Sequence, residues 1–265
     1  MLTITPVQTY LADTPCAPAS FRAYRTTYAD VMPALVLEWD KAPGMFWTLS
    51  LTEFFGDATA CWGYQPHAAW QANSDNGWSY TDAPASAEAG YEASCSASVT
   101  PRADALGFQL TLRNTGRQTR ADCWGWVCLT HRWAESFQAF RELPTGAGDD
   151  AWVPAAVLPG RVERWLKWCG VRGKEDIGRR LGKLYPNRWQ SQVCGQRGST
   201  RAWRITDAAD RQQFIQFDSD DAVLLGWGHT PCTDVGLYFG TLEPGQSAVV
   251  SGQVRFLDRS FTPIV

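Results

Sequence analysis

The stretch GFQLTLRNTG, residues 107–116, followed by ADCWGWVCLTHRW, residues 121–133, decides the fold class. Apolar and polar side chains alternate from Phe108 to Arg113, and this period of two predicts a strand with one buried face. In the second segment both faces are apolar. One carries Cys123, Gly125 and Val127, and the other carries Trp124, Trp126 and Cys128. A strand that is apolar on both faces is typical of one buried between layers.

Segments of the same kind lie on both sides of this stretch. Residues 34–39 and 45–51 predict a hairpin around a turn at Asp40–Gly44, and YEASCSASVT, residues 91–100, predicts another strand. The last 65 residues return to strands, with a turn at Glu243–Gln246. We therefore expect an all-β protein, a large antiparallel β-sandwich in a single domain over residues 1–265. One or two short helices are expected, at residues 135–143 and 161–170.

Composition and charge exclude several classes of protein. With 24 basic and 27 acidic side chains, the net charge of −3 argues against a nucleic-acid binder. No run approaches the ~18 apolar residues of a membrane helix, so no membrane partner is expected. The N-terminal residues lack the features of a signal peptide, which predicts a cytoplasmic protein unless a leader has been removed. Motifs of nucleotide-binding enzymes, α/β-hydrolases and zincin proteases are missing.

The eight cysteines include a mirrored pair of Cys/His motifs. Cys128 and His131 lie three positions apart, and so do His229 and Cys232. Two Cys and two His are a ligand set that zinc accepts, so these four residues are the candidate metal ligands. Residues three apart on a regular strand point to opposite faces, which favours the alternative of core cysteines and no cofactor. Free buried thiols are expected rather than disulfides, since the chain is large enough to fold without them.

His229 is the first candidate for catalysis. It lies in GWGHTPCTD, residues 226–234, a loop rich in glycine, aromatic and polar residues, and Asp234 could orient its ring. Histidine acts as a general acid or base near neutral pH. The alternative is that His229 fixes the loop by a hydrogen bond.

Further residues could cooperate with His229 on a sugar. His131 and Tyr185 are candidate proton carriers, and Arg132 and Arg188 are candidate groups for binding a carboxylate. Hydrolysis would instead require two carboxylates in one cleft, for which Glu38, Asp40, Glu53 and Asp57 are available. The 14 tryptophans either pack between layers or offer flat surfaces to sugar rings. As stacking surfaces we single out Trp62, Trp70, Trp133 and Trp227.

Residues 110–116, LTLRNTG, the strand after them, and a His-containing loop before LEPGQSAVVSGQVRFL, residues 242–257, resemble the galactose-mutarotase-like superfamily. The pattern is also similar to uncharacterised bacterial proteins. The resemblance implies a large sandwich and a carbohydrate ligand, because the superfamily includes sugar epimerases, lyases and glycoside-processing domains. Its catalytic His and Glu are not carried over to this chain.

The sequence thus predicts a carbohydrate-active enzyme that uses acid/base chemistry, as a lyase, a hydrolase or an epimerase. A non-catalytic carbohydrate-binding module would use the same tryptophans without positioned acids or bases. A structural or assembly protein would use them in its core and interfaces. The sequence leaves the oligomeric state open.

Overall fold

The fold is described from a computed structural model. The residues it describes are 1–7, 34–59, 61–62, 70–74, 76–82, 90–100, 103–131, 134–137, 140–144, 152–154, 166–172, 174, 176–177, 196–197, 201–210, 212–228 and 232–259.

Two nine-stranded sheets make up the described chain, and their strands are numbered in chain order. The first sheet has the spatial order β1 (Leu2–Val7), β2 (Ala34–Trp39), β3 (Phe46–Gly56), β9 (Arg120–Thr130), β17 (Cys232–Leu242), β16 (Ala222–Gly228), β12 (Leu166–Arg172) and β13 (Gln196–Arg197). A short strand, β4 (Cys61–Trp62), pairs with β3 off this path. All neighbours are antiparallel except β12 and β13.

The second sheet is antiparallel throughout. Its spatial order is β11 (Trp152–Pro154), β10 (Phe140–Pro144), β14 (Arg201–Thr206), β15 (Gln213–Asp218), β18 (Ser247–Asp258), β8 (Ala105–Asn114), β7 (Tyr91–Thr100), β6 (Gly77–Asp82) and β5 (Gln71–Ser74). Its central strands β8 and β18 pair from Ala105 and Arg255 to Arg113 and Ser247. Long strands with period-two side chains favour this arrangement over helices.

The core fills the space between the two sheets. Alternate residues of each central strand enter it, such as Leu129 on β9 and Leu110 on β8. Trp47 of the first sheet meets Phe256 of the second edge-on, with ring centroids 5.0 Å apart. Each large apolar side chain buried in this way contributes about 1.5–3 kcal/mol relative to exposure. Side chains on the side of a sheet that faces the core are called inner here, and those on the other side are called outer.

Asn114 fixes the points where the chain passes from one sheet to the other. Its side-chain amide donates hydrogen bonds to the carbonyl oxygens of Gln118 (2.8 Å) and Leu242 (2.9 Å). Its own carbonyl group accepts a bond from Gly245 N–H at 2.8 Å. The β8–β9 and β17–β18 crossings are therefore tied together, with Gly245 at φ 82° completing the second turn.

The predicted all-β sandwich is confirmed. The strands expected at residues 34–39, 91–100 and 107–116 form β2, β7 and most of β8, and the predicted alternation on β9 is observed. The helix predictions need correction. Of residues 135–143, the described ones form one turn of 3-10 helix, Glu135–Phe137, and part of β10, which begins at Phe140. Within 161–170, residues from Leu166 onward belong to β12.

The helix predicted at residues 161–170 is replaced by a strand because of a tertiary contact. The segment from Leu166 to Gly170 pairs with β16, so it covers a sheet edge that would otherwise expose unpaired backbone groups. This pairing outweighs the local helix signal, which Gly170 already weakens. In the residues that the structure describes, no helix has the length and apolar character needed to cross a membrane.

Candidate functional site

Three central strands of the first sheet end or begin at the same end of the sheet. Four of the predicted site residues lie on these strands: Cys128, Trp227, Cys232 and Asp234. β9 ends at Thr130, whose Cα partner is Cys232, the first residue of β17. β16 ends next to them at Gly228. His131 follows β9 directly, and residues 229–231 connect β16 to β17. The antiparallel pairing therefore brings Cys128, His131 and the backbone of Cys232 to one end of the sheet.

Asp234 lies in the middle of this region, on β17, one of the central strands of the first sheet. It is 2% exposed. Its direct neighbours across the sheet are Cys128 on β9 and Gly226 on β16. Asp234 and Gly236 have the opposite parity to the core residues Val235 and Leu237, so Asp234 faces outward. A carboxylate buried at a sheet centre is uncommon, because removing its charge from water is costly.

Other polar groups surround Asp234 on the same face. Ser50 is the partner of Cys128, and Thr48 is the partner of Thr130. The Cys128 Sγ and Thr130 Oγ1 atoms are 3.7 Å apart. We call this set the outer polar patch, and each of its members is at most 9% exposed: Thr48, Ser50, Cys128, Thr130 and Asp234. Hydroxyl, thiol and carboxylate groups together can both donate and accept hydrogen bonds.

Toward the other end of β9 the same face becomes aromatic. Trp124 and Trp126 meet edge-on, with centroids 6.4 Å apart and an interplanar angle of 88°. Gly236 gives Trp126 its space, since a Cβ there would lie 3.0 Å from the indole ring. The outer face of β9 is thus divided into an aromatic half and a polar half, and the polar half lies beside the predicted catalytic loop.

His131 lies on the other side of the sheet from the outer polar patch. It is completely buried, and its Nε2 atom is 3.4 Å from Thr233 Oγ1. Thr233 pairs with the core residue Leu129 and has its inner parity. In this arrangement His131 and Asp234 do not form a dyad, and Cys128 and His131 do not share an ion, because the strand turns them to opposite faces. In the described part of the chain, no group of three or more His, Cys, Asp or Glu side chains could hold a metal ion.

Trp70, one of the predicted stacking surfaces, is a core residue. It is 1% exposed and meets Tyr80 edge-on at 4.9 Å. The Tyr80 hydroxyl in turn accepts a hydrogen bond from Thr52 N–H at 3.0 Å. The expectation of an exposed ring at Trp70 is therefore wrong. Five further described tryptophans are at most 2% exposed: Trp39, Trp47, Trp124, Trp126 and Trp203.

Several predicted residues lie outside the described part of the chain, and their roles stay predictions. These are His229, Tyr185, Arg132, Arg188 and Trp133. For Trp62, Trp227 and Cys232 the structure gives the strand but not the side chain.

The acids considered for hydrolysis are dispersed. Asp57, 3% exposed, forms an ion pair with Arg120 at 2.8 Å and accepts bonds from the N–H and hydroxyl of Thr59, both at 2.7 Å. Asp40 pairs with the amino group of Met1, and Glu38 is exposed on β2. The side chain of Glu53 lies outside the described part. The described acids thus hold structural positions and do not converge on one cleft.

The described cysteine side chains are buried, as predicted: Cys95, Cys123 and Cys128. Desolvation raises the pKa of Cys95 well above its usual value. Desolvation, with a smaller effect from the nearby Asp57 carboxylate, raises the pKa of Cys123 to about 12. Neither Cys95 nor Cys123 supplies a thiolate at neutral pH, so both act as packing residues.

Sequence reasoning found Asp234 and Cys128 but missed Thr48, Ser50 and Thr130. The signal was present in WTLSL, residues 47–51, where polar residues alternate with apolar ones. Reading this segment only as a buried hairpin strand hid the polar row on its outer face.

Comparison with known proteins finds distant structural similarities only. No protein-family model and no curated protein sequence matches it. Similar solved structures include a galactose mutarotase-related enzyme from Lactobacillus acidophilus, with TM-score 0.44, 8% identity and coverage of 87% of this chain and 96% of that one. A galactose mutarotase-like protein from Clostridium acetobutylicum has TM-score 0.45, 10% identity and coverage of 86% and 93%.

An alpha-mannosidase from Enterococcus faecalis V583 is similar over part of its length, with TM-score 0.46, 11% identity and coverage of 85% of this chain and 27% of the mannosidase. The predicted resemblance to galactose-mutarotase-like proteins is confirmed as a distant structural likeness. Likeness at this level assigns neither an activity nor a site to the chain.

Proposed function

We propose that the protein is a carbohydrate-active enzyme that acts on a sugar or oligosaccharide by acid/base chemistry. The observation that carries the proposal is the Asp234 carboxylate, 2% exposed on a central strand of the first sheet. Burying a carboxylate costs several kcal/mol before any compensation, so sheet centres normally carry apolar residues. Ionisable groups held in such surroundings are concentrated at functional sites.

The proposed roles follow from the chemistry of the side chains. Asp234 orients the His229 ring, which transfers the proton to or from the substrate. Tyr185 is a further proton carrier, and Arg132 and Arg188 bind a carboxylate or another anionic group of the sugar. His131 is given no role in the reaction, because it is completely buried on the side of the sheet opposite to Asp234. Thr48, Ser50 and Thr130 share the outer face with Asp234, but they are at most 9% exposed and are therefore assigned no contact with the sugar. Trp62, Trp133 and Trp227 offer stacking surfaces.

Proton transfer without hydrolysis is the favoured reaction type. A glycoside hydrolase requires a second carboxylate facing the first, and within the described part of the chain the two cross-strand partners of Asp234, Cys128 and Gly226, supply none. Elimination and isomerisation need one base and one acid, which a His with an orienting Asp can provide. We therefore rank lyase and epimerase chemistry above hydrolysis.

The test is incubation of the purified protein with a panel of neutral and acidic oligosaccharides, followed by mass spectrometry and NMR. New fragments without added water mean elimination, and unchanged masses with new anomeric or epimeric NMR signals mean isomerisation. Fragments with added water mean hydrolysis and contradict the ranking.

Asp234→Asn should abolish the turnover observed. Asp122→Asn is the matched control, because Asp122 lies on the neighbouring β9, bonds to the Tyr238 hydroxyl at 2.7 Å, and has φ 52°, which Asn tolerates. Equal loss in both variants would contradict the role of Asp234. Binding without turnover would support a carbohydrate-binding module. Neither binding nor turnover, with a mass that depends on concentration, would support an assembly protein.

A further inference from the structure

A second recess lies on the outer face of the other sheet. It is an open groove of about 650 Å³ across β7, β8 and β18, bordered by the loop after β15. Nothing in the proposed catalytic region contributes to it. Its lining includes the polar side chains Ser96, Ser98, Gln109, Ser251, Gln253 and Arg255.

The strand register explains why a groove forms here. Ser98, Gly107, Gln253 and Asp218 are successive partners in one row across four strands. Gly107 contributes no side chain, and a Cβ built there would meet only the Ser98 carbonyl oxygen, at 4.0 Å. The row is therefore lowest at Gly107, between a short serine on one side and a longer glutamine on the other.

One wall of the groove is held rigid by an ion pair. Asp218 accepts bonds from Arg255 Nε and Nη2 at 2.8 and 2.7 Å, and from Gln216 Nε2 at 2.8 Å. Asp218 is 8% exposed and Gln216 is 4% exposed, so both are fixed in the sheet surface. Both Arg255 nitrogens bond to the Oδ2 atom of Asp218, while its Oδ1 atom accepts the Gln216 bond, so both carboxylate oxygens are held.

The loop after β15 is held beside the groove by hydrogen bonds to β18. Ser219 Oγ donates to the Ser251 carbonyl oxygen at 2.6 Å, and Ser251 N–H donates to Asp221 Oδ2 at 2.9 Å. Ser219 Oγ also accepts a bond from Asp221 N–H at 3.1 Å. Because the groove and its border are formed by hydrogen-bonded backbone, a ligand would lose little affinity to ordering of the protein.

The lining defines the chemistry of the ligand. Ser96, Ser98, Gln109 and Gln253 are exposed and present hydroxyl and amide groups, which both donate and accept. Arg255 is already paired with Asp218, and the exposed Asp220 leaves the groove with excess negative charge. Anionic polymers are disfavoured at such a surface. Hydrogen-bonding rows repeat at the strand spacing of about 4.8 Å, which is close to the length of a sugar ring.

From these observations we propose that the groove binds an uncharged glycan chain laid across the strands. The inference does not depend on the proposed catalytic site, which lies on the other sheet. It adds a place where a polymeric carbohydrate is held apart from the point of reaction. One sugar unit would lie over each of the strands β7, β8 and β18. Its hydroxyl groups would bond to the residue on that strand, which is Ser98, Gln109 or Gln253.

The test is affinity electrophoresis of the whole protein in gels containing hydroxyethylcellulose, galactomannan or soluble starch, followed by calorimetry with the polysaccharide that retards it most. Gly107→Val should fill the groove and weaken binding by about tenfold or more. Thr111→Val is the matched control, since Thr111 lies on the same strand and face outside the groove, and it should change Kd by less than about twofold.

Gln109→Ala is the second groove variant and should also weaken binding. It keeps the proposal testable if Gly107→Val does not fold. The proposal is overturned if none of the three polysaccharides retards the wild type, or if both groove variants bind as the wild type does. Tighter binding of carboxymethylcellulose than of hydroxyethylcellulose would overturn the preference for an uncharged chain. Asp234→Asn should keep full polysaccharide binding, so failure of the groove and failure of the catalytic site give different results.

Discussion

Asp234 and Cys128 are direct cross-strand partners on the outer face of the first sheet, 2% and 3% exposed. A carboxylate and a thiol thus lie side by side in buried positions at the centre of the sheet, near the end of β9. The contributions of the carboxylate and of the thiol to catalysis can be separated by substitution, because each side chain can be replaced by one of nearly equal size.

Replacing Asp234 by Asn should lower kcat by about 10²–10⁴-fold, because the amide cannot orient and stabilise a charged imidazole as a carboxylate does. Cys128→Ser should leave kcat within about tenfold, since the proposed chemistry does not use the thiol. Steady-state kinetics on the substrate found in the panel gives both values. If the two variants lose kcat equally, the thiol takes part in the reaction.

Arg120→Ala should lower the free energy of unfolding by about 3–5 kcal/mol, because it leaves the Asp57 carboxylate buried without its ionic partner. The two side chains are 18% and 4% exposed and meet at 2.8 Å. Urea denaturation monitored by tryptophan fluorescence measures the change. Arg113→Ala, at an exposed position on β8, is the control and should have less than about 0.5 kcal/mol of effect. A similar small effect at Arg120 would show that the ion pair does not stabilise the fold.

The Cys123 thiol should make stability fall at alkaline pH. Its folded pKa is raised to about 12 from 9.0, so the unfolded chain loses the proton first as pH rises. Its contribution is therefore complete below about pH 9 and is lost between about pH 9 and 12. Between pH 8 and pH 10 the loss should be about 1 kcal/mol. Cys123→Ala should reduce this pH-dependent loss, as measured by urea denaturation at both pH values. Identical pH dependence in the two proteins would contradict the raised pKa.

Two glycines on paired strands of the second sheet should respond in opposite ways to substitution by alanine. At Gly252 a Cβ would lie 2.6 Å from the Phe108 ring and 3.0 Å from the Asp218 carbonyl oxygen, so Gly252→Ala should destabilise by about 1–3 kcal/mol. At Gly107 the Cβ has open space, and Gly107→Ala should be neutral or stabilising by up to about 1 kcal/mol. Thermal unfolding distinguishes them, and a loss at both positions would show that the open space at Gly107 is filled.

Much of the fold could be predicted from local alternation, because each long strand has one face in the core. Residues 107–116 and 121–128 show this directly, and they correspond to β8 and β9. The helix prediction for the segment from Leu166 was wrong because the structure of this segment depends on β16, which is more than fifty residues further along the chain. Local propensity is weak evidence when a sheet edge requires a partner.

The candidate site was partly accessible to the same reasoning. Asp234 was predicted as the residue that orients His229 in a loop at residues 226–234, whereas it lies on β17, and its place beside Cys128 follows from the pairing of β9 with β17. The groove on the second sheet gave no comparable signal, since serine and glutamine on the polar face of a strand are ordinary surface residues. Only the register shows that Ser98, Gly107 and Gln253 lie side by side.

The pairing of β9 with β17 also has a consequence for how the protein is made. β9 is apolar on both faces, with Trp124 and Trp126 on one side and Val127 and Leu129 on the other. Its neighbour β3 is synthesised before it, but β17 only emerges from the ribosome after a further hundred residues have been added. During that interval one edge of β9 has unpaired backbone groups beside exposed indole rings. An unpaired apolar strand of this kind favours aggregation until β17 covers it.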